Sequence, residues 1–144
     1  MRTPVMSDQR QEFIELVHDA LQIIEDKLAL DEFPTLHRVP AVQQWLAEHP
    51  REWLARGKAV QMYLRQAVET VVSEYAESCL PTFQRIAVFA RGCYLEGKTV
   101  TAVARELGIS RSLAVHYVAP TTKRLIATAF YWLTVTEPRN RETT

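Results

Sequence analysis

Residues 99–117 read TVTAVARELGISRSLAVHY, and the spacing of this stretch predicts two short helices joined by a tight turn. Thr99 can cap the first helix, because its hydroxyl can accept a hydrogen bond from a free N–H group of the first turn. Gly108 follows the last apolar position, where a left-handed backbone conformation ends a helix without strain. The apolar face of this first helix consists of Val103, Ala104 and Leu107.

The second helix of the pair begins after Ser110, a preferred capping residue, and Ile109 can fill the angle between the two helices. We expect the two helices to cross at Ala104, because only a small side chain lets two helix backbones approach closely. We expect Ala114 and Tyr117 to face inward. The outward positions are then Arg111, Ser112, Val115 and His116. The pattern predicts a helix–turn–helix element, whose second helix is presented to the major groove of DNA.

The chain has 144 residues, of which 47% are apolar and only four are glycine, and this composition favours one compact domain or two small lobes. Its apolar residues recur at helical spacing without strand alternation, which predicts an all-α fold. Cys79 and Cys93 lack metal-ligand spacing, and we expect both to be reduced, buried thiols. Neither a signal-peptide core nor a run of about 20 apolar residues is present, which predicts a cytoplasmic protein without membrane contact.

The net charge is zero, but the charges are distributed unevenly. Residues 1–80 carry eight Lys or Arg against thirteen Asp or Glu, whereas residues 81–144 carry nine against four. The sequence therefore predicts an acidic helical lobe at 1–80, for oligomerisation or partner binding, and a helix–turn–helix lobe at 81–136, followed by a flexible tail at 137–144. Phosphates are neutralised by local positive charge, so this asymmetry favours a nucleic-acid face on the second lobe.

Helical spacing also predicts the elements of the N-terminal lobe. A first helix covers residues 7–30, a proline-containing connector covers 31–40, and a short helix covers 41–48. A long helix over 51–78 follows, kinked or broken near Gly57, and its tryptophan and tyrosine side chains are expected in a core or an interface. The apolar face of the first helix comprises Phe13, Leu16, Val17, Ala20, Leu21, Ile24 and Leu28.

In the C-terminal half, a proline opens a helix over residues 81–96, and Gly97 closes it. Pro120 is expected to end or kink the second helix of the pair, because proline disfavours a helical conformation of the residue before it. A last helix over 121–135 then begins. Its very apolar run at 127–133 needs cover, either from the N-terminal helices or from an oligomer interface.

Residues 80–125, about a third of the chain, resemble region 4 of bacterial sigma factors, the domain that reads the upstream promoter element. The resemblance implies a helix–turn–helix fold, with the family's major-groove positions on Arg111, Ser112, Val115 and His116. Arg111 matches the family, which commonly has glutamate, arginine and glutamine at the other three. No counterpart of the promoter-melting region is present, so we do not expect a complete sigma factor. The matching residues are Leu80, Pro81, Arg85, Arg91, Tyr94, Leu95, Glu96, Gly97, Thr99, Val103, Ala104, Leu107, Gly108, Ile109, Ser110, Arg111, Lys123, Arg124 and Leu125.

We therefore expect a sequence-specific DNA-binding protein, a transcription regulator that inserts helix 110–119 into the major groove of double-stranded DNA. Arg111 would donate to a guanine and Val115 would meet a thymine methyl group. The expected base contacts are Arg111, Ser112, Val115 and His116. The expected phosphate contacts are Arg85, Arg91, Lys98, Thr99, Arg105, Lys123 and Arg124. One such module buries little surface, so a homodimer on paired half-sites is expected.

A second hypothesis is a helix–turn–helix module that binds protein, such as RNA polymerase, an anti-sigma-type partner or a phage assembly component. The zero net charge and the unusual outward positions favour it. An enzyme is not expected, because the sequence shows no nucleophile motif, no phosphate-cradling glycine loop and no paired carboxylates with a plausible pocket. No cofactor and no metal site are predicted.

Overall fold

Helices make up nearly all of the chain that the computed structural model describes, which is residues 3–32 and 36–135, with side chains from residue 10 onward. No strand occurs in these residues, and the predicted all-α fold class is confirmed. The predicted flexible tail, residues 137–144, lies outside the described residues. Among the described helices, none combines the length and the apolar character needed to cross a lipid bilayer.

The order of the elements places the helix–turn–helix late in the chain. Two π-helical segments extend the α-helices: Arg91–Leu95 continues from α5, and Ala114–Val118 joins α7 to α8. A short 3-10 helix, Leu36–Arg38, precedes α3. The α-helices are α1 (Thr3–Gln22), α2 (Lys27–Asp31), α3 (Pro40–Glu48), α4 (Ala55–Tyr75), α5 (Pro81–Ala90), α6 (Val100–Leu107), α7 (Arg111–Leu113) and α8 (Ala119–Thr134).

Residue contacts divide the chain into two compact units. The first comprises Met1–Leu64 and Phe130–Thr144, and the second comprises Arg65–Ala129. The boundaries fall within α4 and within α8. The division into lobes at 1–80 and 81–136 rests on charge and motifs instead of contacts, and it stays a prediction.

The segment predicted as one helix over residues 7–30 is two helices with a turn between them. The N–H group of Ile23 donates to the carbonyl of Ala20 at 3.1 Å, only three residues back, which tightens the chain at the end of α1. Asp26 then caps α2, because its carboxylate accepts a hydrogen bond of 3.1 Å from the N–H group of Ala29. The prediction of a continuous helix is wrong, since Asp26 supplies a new start signal within the apolar pattern.

Two buried polar side chains satisfy backbone carbonyls around α2. The side-chain amide of Gln61 donates to the carbonyl of Ile24 at 2.7 Å, and Nε2 of His37 donates to the carbonyl of Leu30 at 3.0 Å. Both carbonyls lie where a helix ends or the chain turns, so regular backbone donors are lacking there. The two side chains therefore remove the cost of buried acceptors without a partner.

Burial in the first unit follows only part of the predicted apolar pattern. Val17, Ala20 and Leu21 in the second half of α1 are buried as expected. Leu28 on α2 and Trp53 before α4 are exposed, the latter over 76% of its surface. Trp53 is therefore not a core residue, and the alternative prediction of an interface position for it stays a prediction. Trp45 is half-buried, and its ring stacks on His49 with 4.0 Å between ring centroids.

The apolar end of α8 is covered on one side. Phe130 is fully buried, and its ring centroid lies 6.1 Å from that of Phe13 on α1. Tyr131 meets Phe13 edge-on at 5.8 Å, yet both Tyr131 and Trp132 are exposed. The N-terminal helix thus provides the predicted cover for Phe130, while its two neighbours present aromatic surface to solvent.

The helix predicted over residues 51–78 covers only Ala55–Tyr75, and Gly57, near which the sequence predicts a kink or break, lies in its first turn without breaking it. Its N–H group donates to Oδ1 of Asp31 at 2.9 Å, so a side chain of α2 satisfies a free donor in the first turn of α4. A Cβ atom on residue 57 would overlap the carbonyl oxygen of Lys27 and would lie 2.9 Å from the backbone nitrogen of Asp31. Glycine is therefore required here because the two backbones touch.

We expect Gly57→Ala to lower the midpoint of thermal unfolding, because the added methyl group would force α2 and α4 apart at a cost of about 1–3 kcal/mol. At an open helical position the same substitution would raise stability by about 1 kcal/mol. The sign of the shift, measured by circular dichroism on the full chain, therefore tests the contact. A raised midpoint would show that α2 does not approach α4 at this residue.

Candidate nucleic-acid interface

The turn between α6 and α7 has the capping pattern that the sequence predicts. The hydroxyl of Thr99 accepts a hydrogen bond of 3.1 Å from the N–H group of Ala102 and so begins α6. Gly108 ends α6 with a left-handed φ of 68°. The N–H group of Ile109 then donates to the carbonyl of Ala104 at 3.0 Å, which closes the last turn. These observations confirm the predicted roles of Thr99 and Gly108.

The second helix starts at its predicted cap. The hydroxyl of Ser110 accepts a hydrogen bond of 3.0 Å from the N–H group of Leu113. Ala104 and Ala114 are both buried, and α6 contacts α7 and the π-helical segment that follows it. Small side chains on both helices therefore permit the crossing, as predicted for Ala104.

Gly92 allows a second close approach within this unit. It lies in the π-helical segment after α5, and a Cβ atom there would come within 2.7 Å of a methyl carbon of Val103 on α6. Val103 itself is fully buried. The segment after α5 is thus packed directly against α6, the first helix of the pair.

The second helix of the pair does not end at Pro120. Helical structure runs without interruption from α7 through Ala114–Val118 into α8, so the predicted end of one helix near 119 and start of another at 121 are wrong. Proline has no N–H group and its ring collides with the carbonyl four residues earlier in a regular α-helix. The π-helical turn just before Pro120 is wider, and it accommodates the proline without a break.

The same π-helical turn changes which residues face inward. The N–H group of Ala119 donates to the carbonyl of Ala114, five residues back, so one extra residue is contained in the turn. Val118 is consequently buried at 8% exposure, whereas Tyr117 is 68% exposed. The predicted inward position of Tyr117 is wrong. Regular 3.6-residue spacing cannot reveal this shift. Pro120 is the sequence signal for it, because a proline inside a helix indicates a local departure from regular α-helical geometry.

The four predicted base contacts lie on the helical run that starts at Arg111. Arg111, Ser112 and His116 are exposed, and Val115 is half-buried. The structure thus brings three polar side chains to the outer surface of one helix. The predicted apolar contact at Val115 is less accessible than its neighbours.

Lys98 is engaged by two carboxylates. Its Nζ atom lies 2.6 Å from Oε1 of Glu106 and 3.1 Å from Oε1 of Glu96. The hydrogen bonds that Lys98 donates to Glu106 and Glu96 raise the pKa of its exposed ammonium group above the usual value. A phosphate would have to compete with both carboxylates, so Lys98 is less available than the unpaired arginines.

The arginines around the element have no such partners. Glu96 and Glu106 are the only acidic residues between positions 80 and 129, and Lys98 binds both. No ion pair connects the arginines of this segment to any residue that the structure describes. Arg85 is half-buried and the others are exposed. The arginines are Arg85, Arg91, Arg105, Arg111 and Arg124.

Lys123 is half-buried next to Cys93. Burial lowers the pKa of the Lys123 ammonium group, an effect that the nearby Cys93 opposes. Burial also raises the pKa of the Cys93 thiol to about 11, although Lys123 opposes that shift. Both cysteines are free, and Cys79 is exposed, contrary to the prediction that it is buried. Arg124, exposed on the next residue of α8, is the more accessible cation.

The remaining predicted contact is Thr99. Its hydroxyl oxygen already accepts the capping hydrogen bond, while its O–H group is left as a possible donor. The described residues hold no group of three or more His, Cys, Asp or Glu side chains arranged to bind a metal ion.

We expect Gly108→Val to lower the thermal midpoint, because a β-branched residue at positive φ is strained by about 1–3 kcal/mol. A Cβ atom at this position meets no atom within 4 Å, so the effect would come from backbone strain alone. Gly108→Asn is the matched control, since asparagine tolerates the left-handed conformation better. Equal midpoints for the valine and asparagine variants would contradict a left-handed turn at residue 108.

Comparison of the chain with protein-family models, with curated proteins and with solved structures found no match.

Proposed function

We propose that this chain is a sequence-specific DNA-binding protein, a cytoplasmic transcription regulator that places the helical run beginning at Arg111 in the major groove. The observation that carries the proposal is the set of five arginines around a capped helix–turn–helix, without a carboxylate partner among the described residues. Arginines that are not neutralised within the protein remain available for the phosphates of double-stranded DNA. The resemblance of residues 80–125 to sigma region 4 supports the same proposal.

The residues divide into reading and positioning groups. Arg111, at the start of the second helix, donates two hydrogen bonds to a guanine, and the exposed Ser112 and His116 contact neighbouring bases or phosphates. Phosphate contacts come from Arg85 on α5, Arg91 in the segment after α5, Arg105 on α6 and Arg124 on α8. These contacts fix the orientation of the protein on the duplex. Three of the predicted phosphate contacts contribute less to binding in this proposal. The hydroxyl of Thr99 caps α6, Lys98 is paired with two carboxylates, and Lys123 is half-buried.

The proposal includes a homodimer. A single helix–turn–helix module buries a small area on DNA, and two modules on paired half-sites reach useful affinity. The exposed rings of Tyr131 and Trp132 in the first unit support association, because large exposed aromatic surface is uncommon on a monomer.

A protein-binding module is the second candidate function, with RNA polymerase, an anti-sigma-type partner or a phage assembly component as the partner. One observation favours it: Tyr117 presents a large aromatic ring on the outer surface of the second helix. Tyrosine is enriched at protein interfaces. The net charge of zero for the whole chain is also compatible with a protein partner.

We expect Arg111→Ala to weaken binding to the preferred duplex by about 1–3 kcal/mol and to relax the preference at one base pair, because a bidentate guanine contact is lost. The preferred duplex is first selected from a random library with the full chain, and affinity is then measured by fluorescence anisotropy. Arg51→Ala is the matched control, since Arg51 is an exposed arginine of the first unit. Retained base preference in the Arg111 variant would remove Arg111 from the reading role.

Arg124→Ala is expected to act differently. The loss of one phosphate contact would weaken binding to preferred and scrambled duplexes alike and would reduce the slope of log affinity against log salt concentration by about one. Anisotropy over a salt series measures both quantities. If the unmutated chain binds the two duplexes equally poorly at physiological salt while it retains a protein from lysate, the DNA proposal is wrong and the protein-binding module replaces it.

A further inference from the structure

Tyr117 is the largest exposed side chain between Arg111 and Ala119. It is 68% exposed, and its ring and hydroxyl have no hydrogen bond, ring contact or ion pair with another described residue. The aromatic pairs of this unit are formed elsewhere, between Tyr75 and Phe83 and between Phe89 and Tyr94. Tyr117 is thus an aromatic residue without a structural contact within the described chain.

The packing on the inner side of the helix holds Tyr117 outward. Ala114 and Val118 are both buried, and the hydrogen bond from Ala119 to the carbonyl of Ala114 fixes the wide turn between them. One turn later, the fully buried hydroxyl of Thr122 donates to the carbonyl of Val118 at 2.7 Å. Rotation of the helix that brought Tyr117 inward would expose Val118 and Thr122, so the outward position is a consequence of the π-helical turn.

The outward position puts the tyrosine beside the proposed reading residues. Ser112 and His116 are both exposed on this helical run. Tyr117 directly follows His116, and Thr121, one turn later, is also exposed. Val115, the predicted apolar contact, is half-buried. Tyr117 therefore supplies most of the apolar surface that this part of the helix offers to a partner.

We propose that Tyr117 is a specificity-determining residue that reads thymine in the major groove; the inference rests on the proposed DNA-binding function. Thymine is distinguished in that groove by its C5-methyl group, which is recognised by apolar contact. The ring of Tyr117 packs against this methyl group, and its hydroxyl is free to donate to a nearby phosphate oxygen. A tyrosine ring has few rotatable bonds, so ordering it costs little entropy.

The test replaces thymine by uracil at each position of the selected duplex in turn. Uracil pairs as thymine does and lacks only the methyl group, so each duplex removes one apolar contact. Anisotropy with the full chain is measured for the unmutated protein, Tyr117→Phe and Tyr117→Ala. Trp53→Ala is the control, because Trp53 is another largely exposed aromatic residue and belongs to the first unit. Thermal midpoints of all variants show whether they are folded.

We expect one uracil position to weaken binding of the unmutated protein and of Tyr117→Phe by about fourfold, the effect of one methyl group. Tyr117→Ala should bind the selected duplex about tenfold more weakly and should show no further loss at that position, because the ring is absent. Tyr117→Phe should stay within about twofold of the unmutated protein on the selected duplex, since a phosphate hydrogen bond contributes less than the ring. Trp53→Ala should match the unmutated protein throughout.

Three results would overturn the inference. They distinguish failure of the proposed role of Tyr117 from failure of the proposed DNA-binding function. If Tyr117→Ala has unchanged affinity and an unchanged uracil profile while Arg111→Ala still relaxes one base pair, Tyr117 is not a reading residue and the DNA proposal stands. If Tyr117→Ala weakens all duplexes alike and keeps the uracil profile, the ring contacts the backbone only. If the unmutated chain selects no sequence, the DNA-binding function itself fails.

Discussion

The hydrogen bond from the N–H group of Ile109 to the carbonyl of Ala104 sets the angle on which the helix–turn–helix depends. It can form because Gly108 adopts a φ of 68°, which few other residues accept without strain. The chain leaves α6 in the direction that lets Ser110 cap the next helix and brings Ala114 against α6. The direction of the chain after Gly108 therefore decides which side of the second helix packs on α6. The residues proposed to contact a partner lie on the exposed side of that helix.

Close backbone approach is the second constraint, and glycine permits it in each unit separately. Gly57 lets α2 touch α4, and Gly92 lets the segment after α5 touch Val103. Both glycines lie within helical structure, where glycine is less favourable than alanine by about 1 kcal/mol. The structure gives each a packing reason, since a Cβ atom at either position would collide with a neighbouring element.

The electrostatic arrangement of the second unit shows why total charge is a poor guide to a binding surface. A net charge of zero for the chain conceals a segment, residues 80–129, with two carboxylates that share one lysine. The side chain of Lys98 is thereby occupied, while the arginines of the same segment keep their charge available. Under the proposed function, the cations that carboxylates of the protein do not already bind are the ones available to a phosphate.

The sequence by itself determined the all-α class, the caps at Thr99 and Ser110 and the left-handed turn at Gly108, because each of these depends on residues that are near one another in the chain. Only the tertiary structure decided the rest. The break at Asp26, the contact at Gly57 and the exposure of Trp53 depend on which segments meet in space. The outward position of Tyr117 depends on a π-helical turn, because this turn gives the buried position to Val118, where regular helical spacing predicts Tyr117. Local patterns specify where helices begin and turn, whereas packing between helices fixes their rotation and therefore the side chains that face a partner.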